Sequence, residues 1–192
     1  MRTLIIVAHP RKDSLTFAVA SHFMDGLKDA GHKPELLDLY QEEFNPVLFE
    51  QDEPTWGQPD KEYSVEVHRR IDQMKQNDAL AFIFPIWWWN MPAIMKGYID
   101  RVWNYGFAYG LHDDNKLLHE KVLWIGLVGA PEERFKRYKY DEMLHHYFNV
   151  GLASYTGIKD SKVEFLYDTV KGKRSYFEKE IISRAYDLGV NY

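Results

Sequence analysis

The sequence predicts a doubly wound α/β fold: a five-stranded parallel sheet in the order 2-1-3-4-5 with helices on both faces. Two observations carry the prediction. The candidate strands are short, continuous apolar blocks rich in β-branched residues, as expected of strands buried on both faces. Between them lie segments whose apolar residues recur every three or four positions. Strands that alternate with helices imply right-handed crossovers and a parallel sheet. A length of 192 residues suits one domain with a substantial core, expected here over 1–192.

The elements follow in order. Thr3 to Ala8 is the first β-branched block. A helix is expected from about Leu15 to Ala30, where Phe17, Ala20, Phe23, Met24 and Leu27 keep helical spacing and Gly31 lies just past the end. Pro34 to Leu39 is the second strand, and Tyr40 to Asp60, with Pro46, Pro54 and Pro59, reads as a long loop. Loops of that length in a compact domain are usually functional or disordered. A charged helix over Lys61 to Gln76 leads into the strand Ala79 to Pro85. After three consecutive tryptophans, Pro92 opens a helix to about Asn104, since its missing N–H suits a first helical position. The remaining expectations are a strand over Lys121 to Gly129, a helix from Tyr138 to Leu152, a strand near Lys162 to Leu166 and a helix from Ser175 to Leu188.

In a 2-1-3-4-5 sheet the winding reverses between strands 1 and 3, and ligands bind outside the carboxyl ends of the strands at that switch point. The segments there are HPRKDSLT (9–16) and PIWWWNMP (85–92), which the topology sets across one crevice. HPRKDSLT enters a helix N-terminus, where unpaired N–H groups and the helix dipole attract anions. Ser14, Thr16 and His9 add donors for a phosphate or pyrophosphate, and Ser14 is equally suited to a simple N-cap. Three adjacent tryptophans are hard to satisfy in a core, because each indole N–H wants a partner; they suit a planar ligand, helix packing or a dimer contact. Gly129 and Ala130, after strand 4, permit close backbone approach beside the same crevice.

Composition closes off several classes. A net charge of −5 with mixed signs and no basic stripe argues against nucleic acid. The absence of cysteine excludes disulfides, thiolate nucleophiles and Cys-ligated metal sites. The longest apolar run, Ala79 to Trp89, is interrupted by Pro85 and too short to span a bilayer, and the apolar run Leu4 to Ala8 is too short for a signal peptide. A cytoplasmic protein without membrane insertion is expected. Neither a Gly-rich dinucleotide fingerprint, a Walker pattern, a G-x-S-x-G elbow nor H-E-x-x-H occurs, and no metal site is assigned; His145 and His146 read as surface or interface residues.

These segments together resemble the NAD(P)H:quinone oxidoreductase family, the DT-diaphorase-like flavoproteins of flavodoxin-like fold. His9-Pro10, Ser14-Leu15-Thr16 and Ala18 are similar to the family's flavin-phosphate stretch, with Leu15 and Thr16 in place of its usual Phe and Asn. Phe44-Asn45-Pro46 resembles its F-N-P, FPIWWWNMPAIMKGYIDRVW its long central motif, and Gly106-Phe107-Ala108-Tyr109 its G-x-F-A-Y run. The resemblance implies FAD, with FMN as the alternative, and NAD(P)H as co-substrate. Hydride would pass from NAD(P)H to flavin N5 and on to a quinone-like acceptor in ping-pong order. It places Pro85, Ile86, Trp87, Trp88 and Trp89 beside the flavin ring with backbone amides on it. Trp88 and Trp89 fall where the family has its pocket aromatics, and Trp87 where the family varies. Gly129 and Ala130 match a Gly-Gly pair near the ring. Tyr109 matches a residue that closes the site from the other subunit, implying a homodimer with sites at the interface. Phe135 stands near the position of the family's catalytic Tyr, and Tyr138, Tyr140 or His145 could substitute for the family's Tyr and His; the catalytic set is read as Trp89, Tyr109 and Tyr138. The long loop Tyr40 to Asp60, free to cover an adenosine half, favours FAD. Rival readings are a flavodoxin-type electron carrier, a regulatory flavoprotein subunit of a potassium efflux system, and an azoreductase or free-flavin reductase.

Overall fold

The structure, a computed structural model, describes residues 1–110, 116–170 and 174–192, the side chains of 174–177 excepted. Five strands, β1 (Arg2–Val7), β2 (Lys33–Asp38), β3 (Ala79–Pro85), β4 (Lys121–Leu127) and β5 (Asp160–Leu166), form one all-parallel sheet in the order β2-β1-β3-β4-β5. The helices are α1 (Leu15–Asp29), α2 (Val65–Lys75), α3 (Ala93–Val102), α4 (Glu132–Arg137), α5 (Tyr140–His146) and α6 (Arg174–Val190).

Alternate residues of each central strand face two separate cores. Ile5, Val7, Ala81, Ile83, Leu123 and Ile125 meet Val19, Phe23 and Leu27 of α1 and Ala185 of α6. Leu4, Ile6, Leu80, Phe82, Phe84 and Trp124 meet α2, α3 and the α5 side, with Phe82, Trp124 and Phe148 stacked in series at 4.5 and 5.0 Å. Both faces being covered, the strands read as unbroken apolar runs.

Helices α1 and α6 cross where both lack side chains. A Cβ on Gly26 would lie 2.2 Å from the Tyr186 carbonyl oxygen, and one on Gly189 would lie 2.2 Å from that of Phe23.

Four boundaries differ from expectation. Ser64 caps α2, accepting from the Val67 amide at 3.4 Å, so the helix starts at Val65 and the charged residues before it are loop. Pro92 is the extended N-cap of α3 rather than its first helical residue. β4 stops at Leu127, because Gly129 and Ala130 belong to the turn beyond it. The helix expected over Tyr138 to Leu152 is broken: Lys139 adopts a left-handed conformation (φ 58°) between α4 and α5, and α5 runs on into a wide π-type segment, Tyr147–Ser154. The six-residue α4 ahead of that break has too few turns to show apolar periodicity.

The long loop 40–60 is tied down on α3. Pro46 seats directly on Gly97, where a Cβ would come within 2.4 Å. Arg101 of α3 lies over the Phe44 ring at 5.2 Å, donates to the Asn45 carbonyl, and pairs with Asp52 at 2.8 Å and Glu66 at 3.1 Å. Asp52 also accepts from the Ser64 amide at 2.8 Å and hydroxyl at 2.9 Å. The F-N-P and K-G-x-x-x-R segments are thus two halves of one latch.

Candidate active site

At the carboxyl ends of β1, β3 and β4 a crevice of about 370 Å³ opens toward α1 and α6, lined among others by His9, Ser14, Leu15, Thr16, Pro85 and Trp87. The two segments from either side of the switch point therefore meet, as the strand order requires.

The floor is the start of α1. Ser14 is extended (φ −82°, ψ 157°) and its hydroxyl accepts from the Phe17 amide at 3.4 Å, so it is an N-cap whose own proton remains available to a ligand. The Leu15 and Thr16 amides have no partner among the described residues, which leaves two donors on the positive end of a 15-residue helix. Thr16 is buried, and Ala18 sits one turn along, its amide returned to the Ser14 carbonyl at 3.1 Å. Ala18 does not line the crevice.

His9 Nδ1 accepts from the Arg11 amide at 3.1 Å, and burial lowers the imidazole pKa. Lowering favours the neutral ring; Nδ1 also lies 3.2 Å from the Arg11 carbonyl, and in the tautomer that accepts from the Arg11 amide the Nε2–H is a donor. Lys12 is withdrawn from the site, held by Asp38 and by Gln41 at 2.7 Å. Arg11 pairs with Asp13 at 3.4 Å at the exposed mouth.

The tryptophans do not form one flat wall. Trp87 N–H donates to the Asn90 carbonyl at 2.9 Å and Asn90 N–H to that of Trp87 at 3.1 Å, closing a four-residue turn. Trp88 and Trp89 at its centre both have positive φ (49° and 60°), the signature of a type I′ turn, normally occupied by Asn and Gly. The turn sends the rings three ways. Trp87 lies on the crevice side with its ring 6.0 Å from His9. Trp88 is the tip and 94% exposed. Trp89 lies on the α4–α5 side, stacked on Tyr140 at 3.6 Å and 13°. The Ile86 amide donates to the Leu127 carbonyl at 2.8 Å, so the Ile86 and Trp87 amides, expected on a ligand ring, are spent within the protein. Those of Trp88 and Trp89 have no partner among the described residues.

The other expected site residues are dispersed. Gly129 is exposed and Ala130 half-buried; a Cβ on Gly129 would stand 2.8 Å from Val170, so its bareness admits the loop after β5. Phe135 is a correction: at 1% exposure it is a core ring among Phe165, Tyr167 and Tyr140, with no surface for a ligand. Tyr138 is 56% exposed, with its ring tilted 34° to that of Tyr140 at 5.8 Å, and does not line the crevice. The αL break at Lys139 points the two tyrosines differently, and Tyr140 is the one brought to the tryptophan turn. His145 packs edge-on against Phe165 at 5.4 Å. Tyr109, half-buried, links the buried ring of Tyr105 to the exposed ring of Tyr155 and does not line its own chain's crevice.

Sequence reasoning missed the far wall: Asp168, Thr169 and Val170 after β5, and Glu178 and Ile181 of α6. Backbone bonds from Asp168 to the Ala130 carbonyl (3.2 Å) and from Thr169 to that of Val128 (3.1 Å) pull this loop beside β4. Its position after the carboxyl end of a strand was the available signal. Asp13, Asp168 and Glu178 make this lobe rich in acceptors, suited to ligand hydroxyls. The loop 40–60 contributes nothing to the crevice lining.

Among the described residues no cluster of three or more metal-ligating side chains occurs, and no helix is long and apolar enough to cross a membrane. A family model described as flavodoxin-like fold matches residues 1–185. The uncharacterized NAD(P)H oxidoreductase YcaK of Escherichia coli (strain K12) is 43% identical over 169 residues, covering 88% of this chain and 85% of that protein. NAD(P)H dehydrogenase (quinone) 1 of Cavia porcellus is 26% identical over 152 residues, 70% of this chain and 55% of that one. The solved NAD(P)H:quinone oxidoreductase from Methanothermobacter marburgensis superposes with a TM-score of 0.89 at 30% identity, covering 100% of this chain and 96% of its own. With the crevice at its switch point and these matches along nearly its whole length, the chain belongs to the flavodoxin-like family that holds the NAD(P)H oxidoreductases and quinone dehydrogenases, and it is an oxidoreductase.

Proposed function

We propose that the chain binds FAD and carries two electrons from NAD(P)H to a planar, quinone-like acceptor, as a homodimer. The observation that carries the reading is the continuity of one crevice, from an aromatic turn through an unpaired helix N-terminus to an acceptor-rich lobe. The hydride chemistry, in from NAD(P)H and out to the acceptor, is what a bound flavin supplies.

The residues present fit such a group. The Leu15 and Thr16 amides, with the Ser14 and Thr16 hydroxyls and the His9 Nε2–H, hold a phosphate by donated hydrogen bonds and the helix dipole. Asp168 and Glu178 accept from sugar hydroxyls. Trp87 would border its ring system, and the unspent Trp88 and Trp89 amides would be donors to it. FAD is favoured over FMN because the crevice continues past the start of α1 to Glu178 and Ile181, room that a mononucleotide leaves empty. Trp88 and Trp89 stand outside the crevice, where co-substrate and acceptor stack in turn. Tyr109, away from its own crevice, closes the site of a second copy.

The test is direct. Acid treatment of the purified protein should release a yellow cofactor with the mass of FAD, and anaerobic NADH or NADPH should bleach its absorbance. A protein that retains and binds neither FAD nor FMN would sink the proposal.

A further inference from the structure

The ring of Tyr140 stacks on that of Trp89. The two ring centroids lie 3.6 Å apart at 13°, a stacked contact closer than the offset or edgewise arrangements aromatic pairs usually prefer. Beneath the pair sits Phe135, 6.1 Å from Trp89 and 5.6 Å from Tyr140, itself fixed in the core. Trp89 needs such support. Its backbone is in the left-handed region at the centre of a two-residue turn, and its neighbour Trp88 stands in solvent. Tyr140 in turn is set by the left-handed Lys139 immediately before it, which starts α5 with this ring turned toward β3. Trp89 remains 41% exposed although one side of its ring is stacked on Tyr140.

We propose that Tyr140 is a positioning residue: it clamps the Trp89 indole from behind, so that a planar acceptor meets one ring face in one fixed orientation. The inference rests on the oxidoreductase reading above, and it assigns acceptor shape selection to the pair. An acceptor with a flat ring depends on the clamp, whereas a compact ion with no ring to stack does not. The tyrosine hydroxyl takes no part, since the contact is between ring faces.

The holoenzyme is assayed at saturating NADH with menadione, a flat naphthoquinone, and with ferricyanide, a compact octahedral ion. Tyr140→Ala is expected to raise the ratio of the menadione KM to the ferricyanide KM about threefold to tenfold, the range of one lost aromatic contact, while kcat for menadione falls less. Tyr140→Phe, which keeps the ring, should return the ratio to that of the wild type, and Met143→Ala, exposed on the same helix, should leave it there. Cofactor content and thermal midpoint of each variant report folding. If Tyr140→Ala retains its cofactor and both KM values move together, or Tyr140→Phe behaves like Tyr140→Ala, the clamp is wrong although the enzyme reading stands. If the wild type reduces neither acceptor with NADH or NADPH, the enzyme reading falls and the clamp with it.

Discussion

At Trp88 the side chain and the backbone conflict. A left-handed conformation costs a residue with a Cβ roughly 1–2 kcal/mol, and a bulky one is a true outlier there. With its ring 94% exposed, Trp88 regains none of this by packing within its own chain. Strain of this kind persists where function demands it. Trp88→Asn should therefore raise the thermal midpoint by roughly 2–4 °C in a chain of this size, while lowering turnover with planar acceptors. A lowered midpoint in calorimetry would mean that the turn is unstrained. Trp87 carries the opposite expectation. It lies in the crevice against His9, so Trp87→Ala should weaken flavin binding roughly threefold to tenfold, measured by fluorescence titration of the apoprotein. The sequence made the tryptophan cluster conspicuous but not its division of labour. Side-chain alternation assumes an extended backbone, and nothing in W-W-W-N advertises a type I′ turn, whose usual marks are Asn and Gly.

Among the elements, the strands were legible because burial on both faces leaves an unbroken apolar run, and the helices wherever one face alone is buried. What escaped were features made by contact between segments distant in sequence. The split of the expected 138–152 helix at Lys139 is one, and the docking of loop 40–60 on α3 another. That loop read as a free cover and is instead a latch. Within it burial pushes the Asp52 carboxyl up, but hydrogen bonds from Arg101 and Ser64 outweigh this and hold its pKa below the usual carboxylate range. A depressed folded pKa adds stability above the unfolded value, near 4, that is lost as pH falls through the folded one. Acid unfolding monitored from pH 6 downward should thus show a component that Asp52→Asn removes. Arg101→Met strands the buried carboxylate and should cost about 3–5 kcal/mol at pH 7 in urea titration, because a lone buried charge is far worse than a pair. At the α1–α6 crossing, Gly26→Ala and Gly189→Ala each drive a methyl into backbone and should cost roughly 1–3 kcal/mol. An unchanged urea midpoint for either would show that the helices part freely.

For the whole molecule the decisive quantity is how cofactor binding couples to the crossing of α1 and α6. The crevice is built from both helices: the unpaired Leu15 and Thr16 amides begin α1, while Glu178 and Ile181 come from α6, and the Gly26–Gly189 contact holds the two together. A ligand that engages both walls stabilises the folded state through every element it joins. Anything that binds only the native protein contributes about 2.7 kcal/mol at a hundred times its Kd. For a chain of this length that is a rise of roughly 5–11 °C in thermal midpoint. On the proposed reading FMN would engage the aromatic turn and the start of α1, and only the second nucleotide of FAD would meet the α6 wall. At equal concentrations of free ligand, FAD should therefore raise the midpoint of the apoprotein further than FMN. Glu178→Gln should shrink the FAD increment and leave that of FMN in place, because only the longer ligand meets that carboxylate. Equal shifts from the two flavins, or a Glu178→Gln loss common to both, would move the assignment to FMN and leave the lobe beside α6 without a nucleotide role.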